Sequence, residues 1–69
     1  MTIPENLTEK RNLYRDHGDN KQIAALANLT PQAVWHAFKV GRASEELIIA
    51  ASKYYSAKEQ RISASLSQN

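Results

Sequence analysis

Residues 20–42, NKQIAALANLTPQAVWHAFKVGR, read as two short helices joined by a tight turn, and that reading decides the fold. The first helix runs from about Asn20 to Ala27. Ile23, Leu26 and Ala27 recur there at three- and four-residue spacing, while Lys21 and Ala25 point away. Asn28 breaks the pattern. Asparagine tolerates a left-handed backbone better than other non-glycine residues, so it can end one helix and let the chain reverse. Thr30 and Pro31 begin the second helix. A threonine hydroxyl accepts from free backbone N–H groups, and proline at the first helical position gives up only a donor that had no partner.

The second helix has two unlike faces. At 100° per residue, Val34, Ala37 and Phe38 fall together, and Gln32, His36 and Lys39 fall opposite them with Trp35 at their edge. Gly41 offers a left-handed stop after Val40, and Arg42 follows. Between Asn20 and Ala43 there is no Asp or Glu, whereas Lys21, Lys39 and Arg42 are cationic. Such a surface favours a polyanion.

On these residues the stretch resembles the lambda-repressor-like helix-turn-helix proteins, which include phage repressors, Cro proteins and the DNA-binding heads of LacI-type regulators. The resemblance rests on Ile23-Ala24, Ala27-Asn28-Leu29-Thr30, Val34 and Gly41-Arg42. It implies that Ala24 is the small residue letting the two helices approach, and that Leu29 and Val34 set their crossing angle. Asn28 stands where the family most often has glycine. Pro31 stands where many members have a polar residue reaching DNA, which makes Gln32 the first side chain free to read.

Sixty-nine residues allow one domain. A chain this short buries only about 60% of the surface its unfolded form exposes, so its stability is expected to be modest. Cysteine is absent, which excludes a disulfide framework and a thiolate metal site. No apolar run matches a signal peptide or a membrane span, so a cytoplasmic protein is expected. The net charge of +2 is weakly basic. Its distribution says more, because Glu5, Glu9, Asp16, Asp19, Glu45, Glu46 and Glu59 all lie outside the helix pair and leave the positive field on it.

Residues 5–17 read as a preceding helix with Leu7, Leu13 and Tyr14 as its apolar members, expected to cover Ile23, Leu26 and Phe38. Gly18 offers its left-handed end, and Asp19 with Gln22 forms a capping-box pattern for the next helix. After Arg42, Ser44 can cap a further helix with Glu45 and Glu46 in its first turn. Leu47, Ile48, Ala50, Ala51, Tyr54 and Tyr55 recur on its inner arc, while Ile49 falls outside, either lone or in contact with another chain. The domain is read as residues 1–60, and residues 61–69 as a C-terminal tail, helical or disordered. If helical, Ile48, Tyr55, Ile62 and Leu66 would form an apolar stripe usable for dimerisation. The fold expected is all-α, a small domain of four to five helices.

The resemblance places this second helix in the major groove. Gln32 can donate to N7 and accept from N6–H of adenine at once, and His36 lies one turn further along the same face. Trp35 fits either a packing role or contact with thymine methyl groups and sugars. Lys39 and Arg42 are expected on phosphates, as are Asn20, Lys21 and, after its capping role, Thr30. No cofactor, metal or small-molecule ligand is expected. His17 and His36 have no carboxylate at ligand spacing, and no nucleophile has a recognisable activating neighbour. The function expected is a sequence-specific double-stranded DNA-binding regulator of the Cro or repressor type, from a phage or mobile element and possible as a homodimer. The alternatives are a helical protein-interaction module, such as an antirepressor or adaptor, and a recombination accessory factor.

Overall fold

The computed structural model describes residues 1–67. Its four helices are α1 (Glu5–Tyr14), α2 (Asp19–Ala27), α3 (Pro31–Val40) and α4 (Glu45–Ser67). The chain is a small all-α domain, as its periodicities predict. Positions 68 and 69, at the end of the tail, lie outside the described residues.

The turn between α2 and α3 forms as its residues dictate. Asn28 sits in the left-handed region at φ 58° and ψ 45°. The N–H groups of Asn28 and Leu29 both return to the carbonyl of Ala24, the latter at 2.8 Å, so the orphan carbonyl at the end of α2 is satisfied. Thr30 is extended, and its Oγ1 accepts the N–H of Ala33 at 3.1 Å. Gly41 repeats the closure after α3 at φ 80°, with its own N–H and that of Arg42 donating to Ala37. Of the two residues expected to set the helix crossing, Leu29 is exposed and Val34 is fully buried.

The core consists of Ile3, Leu7, Ile23, Ala24, Val34, Ala37, Leu47, Ala50, Ala51 and Tyr55. Ala24, Ala50 and Ala51 are small where helices meet, which lets α2 and α4 pack closely. Ser44 Oγ accepts the N–H of Leu47 at 3.3 Å and caps α4 as expected. That helix then runs unbroken past Glu59 to Ser67. Tyr55 and Ile48, two members of the proposed dimer stripe, pack within the chain's own core and leave only Ile62 and Leu66 exposed.

Three expectations are corrected. The first helix stops at Tyr14 rather than His17, because Arg15 is extended and Asp16 Oδ1 accepts the N–H of His17. Leu13 and Leu26 do not cover the core and are 75% and 63% exposed. Leu13 lies about 120° round the helix from Leu7, and Leu26 about 100° from the centre of the Ile23–Ala24–Ala27 arc. Arg11 takes the inner position on α1 instead and is only 5% exposed. Asp19, finally, does not cap α2. Left-handed Gly18 occupies that place, and the Asp19 carboxylate turns inward, 2% exposed.

A polar network therefore sits where α1, α2 and α4 converge. Asp19 accepts from Tyr54 OH at 2.5 Å, Lys58 Nζ at 3.1 Å, Tyr55 OH at 3.2 Å and the Asp16 N–H at 2.8 Å. Arg11 donates to Tyr55 OH at 3.1 Å and to Asn20 Oδ1 at 2.8 Å, and its guanidinium lies 4.1 Å from the centre of the Phe38 ring. Every buried side-chain polar atom among the described residues has a partner. Burial by itself pushes the Asp19 carboxyl up. The hydrogen bonds from Tyr54, Asp16 and Lys58, with the charge of Lys58, outweigh it and hold the carboxyl below its ordinary value. Burial, reinforced by the Asp19 carboxylate, pushes the Tyr54 hydroxyl up to about 12. Burial also raises Tyr55 to about 12, with the Arg11 charge opposing and Asp19 adding.

A strap at the N-terminus had no counterpart in the sequence reading. Thr2 pairs antiparallel with Arg42, Ile3 N–H donates to Gly41 at 3.0 Å, and Ala43 N–H donates to Met1 at 2.9 Å. The one local signal is Pro4, which biases the residue before it toward extended backbone. The strap holds the end of α3 in place. No helix among the described residues is long and apolar enough to cross a membrane.

Candidate functional site

α3 divides as its sequence predicts. Val34 and Ala37 are buried and Phe38 is half-buried, whereas Gln32, Ala33, Trp35, His36, Lys39 and Val40 are exposed. Gln32, His36 and Lys39 follow i, i+4, i+7 spacing, so they form one outward row about 10.5 Å long. The inward residues anchor the helix on α2, and the Thr30 cap and Gly41 closure hold its two ends. A row on a helix pinned in this way is rigidly presented to solvent.

Trp35 stands outside the core cluster and is 45% exposed. Its ring lies beneath Lys39, with Nζ 4.8 Å from the ring centre, and it borders an open groove of about 330 Å³ between α1 and α3. Thr8, Asn12 and Arg15 form the α1 side of that groove. The Trp35–Lys39 pair joins a flat apolar surface to a cation, which suits contact with a sugar and its phosphate. Arg15 adds an exposed cation that the sequence reading passed over. Its signal was weak, because at the end of a helix expected to run on to His17 nothing marked it as facing α3.

The five residues expected on phosphates are not equivalent. Lys21, Thr30, Lys39 and Arg42 are exposed, and the backbone of Arg42 is fixed by its bridge to Thr2. Asn20 is half-buried with its Oδ1 held by Arg11, so only its amide NH₂ is left to donate outward. Lys21 and Asn20 lie in the first turn of α2, where unpaired N–H groups carry partial positive charge. Gln32, Trp35 and His36 share the outward side of α3 with Lys39, and Lys21 is exposed on the adjoining helix.

Compared with protein-family models, with curated proteins and with solved structures, the chain gives no match.

Proposed function

We propose that this protein is a sequence-specific double-stranded DNA-binding regulator of the lambda-repressor-like helix-turn-helix type, with α3 lying in the major groove. The observation that supports this most is the exposed row Gln32–His36–Lys39 on a helix whose opposite side is buried. An α-helix with its side chains is about 10–12 Å across and fits a major groove about 12 Å wide. Gln32 leads the helix into the groove and pairs in bidentate fashion with adenine. His36 meets a second base one turn on, and Trp35 presses on a thymine methyl group or a sugar at the groove edge. Lys21, Lys39 and Arg42 neutralise phosphates, while Thr30 and the free amide of Asn20 add neutral hydrogen bonds to the backbone. The role is non-catalytic, and repression follows from occluding polymerase at the bound site. Two subunits would read half-sites about one helical turn apart.

The test is selection of preferred sites from a random duplex library, followed by binding measured at several salt concentrations. Three neutralising cations give a slope of roughly −2.7 in log affinity against log salt for one subunit. Gln32→Ala is expected to relax preference at one base pair, by about 1–3 kcal/mol of discrimination, with the slope unchanged. Lys39→Ala is expected to weaken all sequences alike and reduce the slope by about 1. No affinity for any duplex at low salt, or binding indifferent to salt, would remove the proposal.

A further inference from the structure

We propose that the face shared by α2 and the first half of α4 is a homodimer interface, where a second copy of this chain packs its α4 antiparallel to the first around a two-fold axis between Ile49 and Ala50. Leu26 and Ile49, 63% and 46% exposed, border one shallow cavity of about 320 Å³ together with Ala50, Glu46 and Lys53. Single exposed apolar residues are ordinary on a protein surface. Two that come from different helices and line one depression form a patch.

The charge order around this patch selects its occupant. Glu46, Ile49, Ala50 and Lys53 follow i, i+3, i+4, i+7 spacing and make one stripe along α4. In an antiparallel pair, residues equally far on either side of the centre oppose one another. With the centre between Ile49 and Ala50, Glu46 meets the partner's Lys53, Lys53 meets the partner's Glu46, and each Ile49 enters the partner's cavity over Ala50, a core residue that is only 7% exposed and forms part of the cavity lining. A large side chain thus faces a small one, and both charges find opposites. A parallel pair would instead set carboxylate on carboxylate and ammonium on ammonium. Within the chain the ion pairs among the described residues are Lys10–Glu59 and Lys58–Asp19, so Glu46 and Lys53 have no ion-pair partner of their own. Leu26 of each copy lies beside this seam and extends its apolar area.

This contact would supply the second subunit of the regulator proposed above. It uses no residue of the outward row of α3 and is measured without DNA, so the two readings fail separately. One shallow apolar patch and two charge pairs make a contact at the weak end of protein interfaces, so the association is concentration-dependent.

The experiment is sedimentation equilibrium of the full chain from about 10 μM to about 1 mM, the range in which a contact of this size dissociates. The wild-type mass is expected to rise from 7.8 kDa toward twice that value. Glu46→Lys and Lys53→Glu each turn both cross-pairs from attractive to repulsive, and each is expected to weaken association by on the order of tenfold. Mixing the two variants restores both pairs, as does combining them in one chain, so both samples are expected to dimerise again. Circular dichroism verifies that each exposed-site variant stays helical. A wild-type chain still at 7.8 kDa at the highest concentration overturns the proposal, and so does association beyond a dimer. Variants that dimerise as well as the wild type, or a mixture that stays monomeric, would overturn it equally.

Discussion

Asp19→Asn is the sharpest test of how this chain holds its helices together. The substitution keeps the shape of the side chain but removes a charge that is 2% exposed, and it places an NH₂ donor among groups that already donate. Tyr54, Tyr55, Lys58 and the Asp16 N–H all direct hydrogens at this carboxylate. Breaking a buried pair by removing one partner costs about 3–5 kcal/mol. The Lys58 side chain is 15% exposed and can recover some water, which moves the expectation to the low end, about 3 kcal/mol. A 69-residue domain has only roughly 3–10 kcal/mol of net stability, so the loss is a large share of it. Urea denaturation followed by far-UV circular dichroism at pH 7 measures the difference directly, and thermal melts should show a Tm lower by about 12 °C or more. Because the folded carboxyl titrates below its ordinary value of 3.8, its contribution is fully present above that pH. It is lost as pH falls through the folded value, so the gap between wild type and variant should close on acidification. A variant within about 0.5 kcal/mol of wild type at pH 7 would refute the reasoning, as would a gap that does not narrow at all as pH falls below 3.8.

Two further outcomes follow from local features. Tyr54 and Tyr55 are raised from 10.0 to about 12, so the folded state holds their protons more tightly than the unfolded chain. Their contribution is complete below pH 10 and should disappear as pH rises toward 12, which denaturation across that window would record, with ultraviolet absorbance reporting tyrosinate. Thr30→Ala removes the hydroxyl that accepts from Ala33 and should cost about 1 kcal/mol. Amide exchange at Ala33 should then quicken roughly fivefold if the loss falls on local opening of α3, and an unchanged rate would show that the cap is not limiting.

The chain's local chemistry was enough to place α2, its turn and α3. The left-handed Asn28, the Thr30 cap, Pro31, the Gly41 closure and the Ser44 cap each act over at most five residues, and all sit where their types require. The outward row of α3 was legible for the same reason, since a helix of known phase with Val34 and Ala37 inside must carry Gln32, His36 and Lys39 outside. Arg11 could not be anticipated from its neighbours. It is buried because Tyr55, 44 residues away, accepts one of its hydrogens and Asn20, nine residues away, accepts another. The inward turn of Asp19 depends likewise on Tyr54 and Lys58, 35 and 39 residues on, so a residue that looked like an ordinary cap became the centre of the network. Exposure of Leu26 beside Ile49 and the pairing of Thr2 with Arg42 have the same origin. Backbone conformation is set by contacts within a turn or two, which sequence spacing reports faithfully. Which polar groups are buried together, and which apolar ones are left outside, is set by where distant helices come to rest, and only the packed chain decides that.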